Sequence, residues 1–485
     1  MKALCTLIAL FCLIVAPVAA ADTVATVIVT QDQAPLRASA RDSAQQQAVL
    51  WQGDMLEVRG RRTDFLQVYD HRRERAGYIR AAQVRALPLE ANGAADLLAV
   101  VRFLRDTPGA EALGIGYAAA YLKAAPATAI GAEPFDALGT MAERLARRAS
   151  SRHAKADDAV IAAHLEVAAS YGVVITSFER DGRMQLCYDG EAFRRVLALK
   201  SSDEEKARAA LALTRPECID PDLTPVNRAS LDNWRADVLE RAPRTNLPAH
   251  LKNRLRLRSA SVWASIAFER VRRGESTQEA ANLAVQELAD VDKINLAQDD
   301  ASTYREAAVR VGASRWAAEP ARALAVGLGI VTSPGQTGQT CVKLIDKKHD
   351  LAAPLLQRCT YAIVWTNSVT TNARGTALAL AVQPLDSWRE LWLFHQTNDG
   401  WRVDIVPPAD GATELGYIEF AGWVPGTNKV LAAREAKING RFERSFEVLN
   451  LQTLEVEKHV DNPASLSLFY RWQDPAWKRQ TVSIR

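Results

Sequence analysis

The chain has 485 residues, 48% hydrophobic and 24% charged, the balance of an ordinary globular protein and not of a disordered or collagen-like one. Lys and Arg number 60 against 57 Asp and Glu, a net charge of +3, too even for an obligate nucleic-acid binder. At ~150 residues per domain, the length gives roughly three domains, each large enough to bury its own core.

Lys2 precedes an apolar stretch over residues 4–15, shorter than the ~20 residues that span a bilayer. Pro17 and the small residues Val18, Ala19, Ala20 and Ala21 follow. Residues 1–21 therefore read as a bacterial export signal cut near Ala20 or Ala21, leaving a periplasmic or secreted chain. Cys12 follows Phe11 inside the apolar stretch, the wrong setting for lipid attachment, and no later run is long enough for a transmembrane segment. Of six cysteines, Cys5 and Cys12 leave with the signal. Cys187, Cys218, Cys341 and Cys359 remain, an even number that suits two disulfides in an oxidising compartment. Three pairings are open; the local one, Cys187–Cys218 with Cys341–Cys359, is favoured. No Cys-x-x-Cys is present, so a metal site is not expected.

Residues 22–90 read as short strands. Val24, Thr26, Ile28 and Thr30 form a β-branched run; Gly53-Asp54 marks a turn; residues 56–60 alternate apolar and polar, the period of a half-buried strand. Residues 65–69 and 78–80 add strands, and Val84 closes the unit. The order Leu36-Arg37, Leu50-x-x-Gly53-Asp54, the Val58 strand, Phe65-x-x-Val68 and Gly77-Tyr78-Ile79 resembles a bacterial Src-homology-3 (SH3b) domain. The resemblance implies a small SH3-like barrel that binds cell-wall peptides or envelope proteins, with no catalysis. It implies ligand contacts at Phe65, Tyr69, Tyr78 and Arg59. Phe65 and Tyr78 stand where that family usually has Trp or another aromatic residue, and Phe65 is open between core and ligand contact. Arg72-Arg73-Glu74-Arg75 reads as a solvated loop tip.

Residues 91–332 read as an Ala-rich helical domain. Asn92 is a candidate helix cap. Apolar stripes run through Leu97, Val101 and Leu104, through Phe135, Leu138, Met141 and Leu145, and through Val160, His164, Val167 and Tyr171. His164 on such a face reads as a core histidine with its polar needs met. A hairpin is expected over residues 173–187, turning at Asp181-Gly182. Ser202 with Glu205 forms a capping-box pattern, and Cys218 follows in a Pro-rich loop. Residues 244–273 carry eight Lys/Arg against Glu269, net +7, and residues 275–306 carry eight Asp/Glu against two cations, net −6. Two helices meeting at Gly274, with complementary faces, fit this best. The sharper alternative is a patch of Lys252, Arg254, Arg256 and Arg258 for an anionic envelope polymer.

Residues 333–485 read as a β-rich domain entered through a linker at Ser333-Pro334-Gly335. Strands are expected over residues 362–365, 377–382, 390–395, 401–406, 418–423, 430–434, 446–451 and 480–484. Trp423-Val424-Pro425-Gly426 and the following strand resemble, locally, a blade of WD-repeat or TolB-like propellers. Two such units cannot close a propeller, so an antiparallel sheet or sandwich is expected. Seven of eleven Trp lie after residue 360; most are expected in the core, with Trp472 and Trp477 exposed.

No Gly-x-Ser-x-Gly elbow and no His-Glu-x-x-His helix occur, and nothing calls for a cofactor or a metal. The fold class expected is multidomain α+β. The function expected is that of an exported bacterial envelope binding or scaffold protein. Its partner would be peptidoglycan or an envelope protein, with no nucleic acid. The alternative is an envelope hydrolase with an unrecognised site. A structural adaptor for a membrane complex is a third possibility, marked by a large exposed apolar patch.

Overall fold

The computed structural model describes residues 25–151, 154–180, 182–320, 327–410 and 415–480. The export signal with Cys5 and Cys12, the turn residue Asp181 and the strand expected at residues 481–484 lie outside them. Gln480 ends a helix. The chain is mixed α+β: an N-terminal antiparallel sheet, a helical middle and a C-terminal sheet. Among the described residues no helix is long and apolar enough to cross a membrane.

The N-terminal strands are β1 (Thr26–Val29), β2 (Ala34–Arg37), β3 (Gln46–Leu50), β4 (Met55–Arg62), β5 (Phe65–Asp70), β6 (Arg75–Arg80) and β7 (Val84–Leu87). They are ordered β3-β2-β6-β5-β4-β1-β7. No pairing between β3 and β7 closes the order among the described residues, so the expected barrel is present only as a sheet. Alternation sends Val27, Leu36, Leu56, Val68 and Ile79 to one buried cluster. Helices α1 (Ala94–Arg105), α2 (Glu111–Ala124), α3 (Glu133–Ser150) and α4 (Asp158–Ser170) follow. Asn92 does not cap α1; it lies in the 3-10 turn Ala91–Gly93 that leads into it. Leu97, Val101, Leu104, Met141 and Leu145 share a core with Ile28 and Leu87 of the sheet.

The hairpin β8 (Ile175–Arg180) and β9 (Arg183–Tyr188) comes next. It is followed by α5 (Glu191–Ala198), α6 (Asp203–Leu213), α7 (Pro225–Arg241), α8 (Ala249–Arg272), α9 (Gln278–Ala289) and α10 (Ala301–Ser314). The expected capping box opens α6: Ser202 Oγ accepts from the Glu205 amide and Glu205 accepts from the Ser202 amide. A three-stranded sheet holds β10 (Gly329–Pro334), β11 (Thr340–Ile345) and β12 (Leu356–Thr360). The expected linker at Ser333-Pro334-Gly335 is therefore the end of β10 and its turn, with Pro334 opposite Thr340. Cys341 pairs with Cys359 directly across β11 and β12, and both Cys187 and Cys218 are disulfide-bonded.

The eight-stranded sheet contains β13 (Ile363–Thr371), β14 (Ala377–Leu385), β15 (Trp388–Thr397), β16 (Gly400–Val406), β17 (Leu415–Val424), β18 (Lys429–Ile438), β19 (Arg441–Asn450) and β20 (Val456–Val460). It is not wholly antiparallel as expected: β15 and β17 run parallel where Trp388 faces Gly416 and Arg389 faces Tyr417. The short helices α11 (Ser467–Trp472) and α12 (Pro475–Gln480) end the described chain. Trp472 is partly exposed, but Trp477 is buried, against expectation, edge-on to Phe446 and Phe469.

The chain forms two compact units. One holds residues up to 177 with 186–189, the other residues 178–185 with 190–485. The helical middle does not stand as one body. Helices α1–α4 share a core with the N-terminal sheet. Residues of α6–α9 pack with Trp365 and Ala381, and Val309 and Ala313 of α10 pack with β17–β19.

Candidate binding face

Four N-terminal residues are expected to meet a ligand, and strand register puts three of them, partly exposed, on one face of the sheet. Register slips between Val58 and Gly60 of β4 against β5, which leaves Arg59 as the extra residue of a bulge. Bulges re-aim a side chain, and here the Arg59 guanidinium lies 4.0 Å from the Tyr69 ring centroid. Its Nε donates to Glu57 Oε1 at 2.9 Å, and Glu57 stands opposite Tyr69 across the strands. His71 completes the group, 2.6 Å from Glu57 Oε2 and edge-on to Tyr69. The Arg59 hydrogen bond, then that of His71, holds the Glu57 carboxyl below its usual range. Tyr78, half-buried, faces Gln67 on β5 and Arg37 on β2.

Phe65 is placed differently. It is 5% exposed and covered by Arg80, whose guanidinium lies 5.1 Å from the ring and pairs with Asp42. It is a covered residue beside the face and no open contact. The Arg72–Arg75 tip is also more committed than a solvated loop. Arg72 and Arg73 both reach Asp54, which is buried, and Arg73 reaches Asp70. Beside Glu57 and His71 opens a groove lined by Met55, Leu87, Leu89 and Lys123. The face thus offers two aromatic rings, a guanidinium and a carboxylate next to an apolar groove. Amphipathic aromatics of this kind take ligands with apolar and polar parts.

Three of the four cations of the basic patch on α8 are engaged inside the unit. Arg254 Nε lies 2.9 Å from Asp300 and Arg256 Nη2 3.8 Å from Asp290. Arg258 donates to the Leu211 carbonyl and to Thr214, Arg244 pairs with Glu287, and Lys252 is half-buried. The complementary-hairpin reading describes Arg244, Arg254 and Arg256, whereas Arg258 is held from the end of α6.

Two buried ionic clusters were not found in the sequence. In the first unit His164, 1% exposed, has Nε2 at 2.8 Å from Asp32 Oδ1 and Nδ1 at 2.7 Å from Arg148 Nη2. Arg148 and Arg144 both reach Glu111, which is 1% exposed and also accepts the Gly109 amide. Burial pushes the Glu111 carboxyl up, but the Gly109 amide and the two arginines outweigh it and hold it low. In the second unit Glu419 Oε1 accepts from Arg315 Nε at 2.5 Å and Arg389 Nη2 at 2.7 Å, and Oε2 accepts from Trp477 Nε1. Burial drives Arg389 down to about 10; it also opposes ionisation of Glu419, but the two guanidiniums hold that carboxyl at about 2. The sequence signal was a single charge inside an otherwise apolar strand, with no hint of its partner.

Among the described residues no group of His, Cys, Asp and Glu is placed to hold a metal ion. Comparison with protein families, curated proteins and solved structures finds no match to the chain.

Proposed function

We propose that the chain is an exported bacterial envelope protein that binds, and that its N-terminal sheet, SH3-like in its sequence pattern, is the recognition module. The observation that carries this is the β4 bulge, which turns Arg59 over Tyr69 and groups both with Glu57 and His71, on the sheet face that also carries Tyr78. The disulfides support an oxidising compartment. The ligand is a peptide of peptidoglycan or a segment of an envelope protein, since the face joins aromatic surface to paired charge.

The test is retention of the chain, freed of residues 1–21, on purified peptidoglycan. Retention that Tyr69→Ala with Tyr78→Ala removes, while circular dichroism stays unchanged, supports the reading. Equal retention of wild type and double variant sinks it. Absence of retention in both moves the ligand to a protein partner.

The hydrolase alternative has one feature in its favour. An open groove in the second unit is lined by Arg434, Glu435, Glu443, Glu447 and His459. Glu447 is already engaged there, by Arg434 at 3.0 Å and Ser445 at 2.6 Å. Release of soluble fragments from peptidoglycan by wild type, lost in Glu447→Gln, is the outcome that would favour it.

A further inference from the structure

On the reading that the N-terminal sheet is the recognition module, we propose that its ligand is an extended acidic peptide, whose carboxylates pair with Arg62 and Arg37. Residues opposite each other on neighbouring strands share a face, so register lays this face out in rows. Arg62 of β4, Phe65 of β5 and Arg80 of β6 form the first. Gly60, Gln67, Tyr78 and, on β2, Arg37 form the second. Glu57 with the bulged Arg59, Tyr69 and Ala76 form the third.

Charge on the face is unbalanced. Glu57 is taken by Arg59 and His71, and Asp42 by Arg80. Asp64, exposed at the β4–β5 turn, stands at the rim near Arg80. Arg62 is exposed, and its side chain makes no hydrogen bond or ion pair among the described residues. Arg37 donates from Nη1 to the Ala44 carbonyl at 3.0 Å, which fixes the side chain and leaves its other donors for a ligand. The carboxylate that Arg37 feels, Asp42, is bonded to Arg80. A neutral glycan would leave both guanidiniums unmatched, and a basic peptide would be repelled.

The middle row supplies what lies between the two cations. Gly60 leaves β4 without a side chain there. Gln67 carries a donor and an acceptor, the pair that a peptide bond needs. Among the described residues neither its side chain nor the Tyr69 and Tyr78 hydroxyls have a hydrogen-bond partner. The tyrosine rings suit an apolar side chain with polar groups beside it. From β4 through β5 and β6 to β2 is three strand spacings, or ~14 Å at ~4.8 Å each. An extended chain covers that in about four residues, and residues i, i+2 and i+4 point to one side. The ligand therefore has acids at i and i+4, and an apolar residue at i+2 over Tyr78.

The probe is the peptide Glu-Ala-Leu-Ala-Glu, acetylated and anchored to a sensor surface through a C-terminal linker; its counterpart carries Gln for both Glu. The full chain freed of residues 1–21 is passed over each. The acidic peptide is expected to bind about tenfold tighter or more, the worth of one charge-assisted hydrogen bond. The preference should shrink between about 0.05 M and about 1 M salt, because exposed charges are screened. Arg37→Gln with Arg62→Gln should abolish the preference while circular dichroism stays unchanged. If that pair does not fold, Arg62→Gln, at an exposed and unbonded side chain, decides alone. Binding of neither peptide, or a preference that the arginine variants keep, overturns the proposal. Equal binding of both peptides, lost in Tyr69→Ala with Tyr78→Ala, leaves the face a recognition module and overturns the acidic partner. Binding indifferent to the tyrosine and arginine variants alike overturns both.

Discussion

The two units solve one problem in two ways. Each must fix helices to a sheet, and each buries charge to do so. In the first unit the charges form a line, Asp32, His164, Arg148, Glu111 and Arg144, which starts at a partly exposed turn and contains an ionisable ring. In the second they form a closed knot. Glu419 of β17 takes Arg389 of β15, Arg315 after α10 and Trp477 of α12, while Arg389 donates to the Gly312 and Ala313 carbonyls. The line reaches water at Asp32, whose side chain is partly exposed. The knot does not, and its carboxyl, held at about 2 by two guanidiniums, stays ionised through the neutral range. The lesson is that buried charge can be satisfied along a chain that ends at the surface or within a closed set, and the route to water is what separates the two.

Removing the centre of the knot gives the largest expected effect. Glu419→Gln leaves Arg389 and Arg315 buried with no anion between them, and breaking a buried pair in this way costs about 3–5 kcal/mol. The slowest-exchanging amides of β15 and β17 should lose protection accordingly; unchanged exchange would mean the triad is energetically neutral. The same knot predicts a flat response to mild acid. A carboxyl whose folded pKa is depressed contributes stability above its unfolded value, about 4.3, and loses it only as pH falls toward the folded one. From pH 7 to 5 the protection of β15 and β17 should therefore stay flat, and it should fall only below pH ~4.

Reduction of the Cys341–Cys359 bridge is expected to come next. Its 18-residue separation corresponds to about 3 kcal/mol in the chain-entropy account, read as a lower denaturation midpoint of Cys341→Ser/Cys359→Ser. Each unit also presses a glycine against helix-borne backbone, one in the turn between β3 and β4 and one in β17. Gly53 has φ +95°, and a Cβ there would lie 2.6 Å from the Ala112 carbonyl oxygen of α2. Gly422 has φ +156°, and its Cβ would lie 2.3 Å from the Trp472 carbonyl oxygen of α11. Alanine at either position should cost about 1–3 kcal/mol, with exchange rising in the affected unit only. A loss of protection in both units from one substitution would break the separation drawn here.

Local features were legible in the sequence because they need only neighbours. The strand over residues 56–60, the stripe Leu97-Val101-Leu104 and the Ser202–Glu205 capping box are all present. The Cys341–Cys359 pairing was also read from proximity. What failed depended on partners far along the chain. The helical middle was expected as one domain, yet its two halves bury their stripes in different cores, and stripe spacing does not say against what a face packs. His164 was recognised as a core histidine, but Asp32 stands 132 residues away. The Arg59 placement depends on a bulge, which a period-two pattern cannot show.

The smallest predicted effect tests whether legibility and energetic weight go together. Ser202 Oγ accepts from the Glu205 amide at 3.2 Å and the Glu205 carboxylate accepts from the Ser202 amide at 2.8 Å, satisfying two otherwise unpaired donors at the start of α6. The motif is local and water can replace much of it. Ser202→Ala should therefore cost only about 1 kcal/mol, measured as faster exchange in the first turn of α6 and little change in the denaturation midpoint. Glu419→Gln should cost several times more, because it leaves two buried guanidiniums without their shared anion. Equal costs for the two would mean that the long-range knot is no stronger than a helix cap, and that charge buried in the second unit is tolerated rather than used.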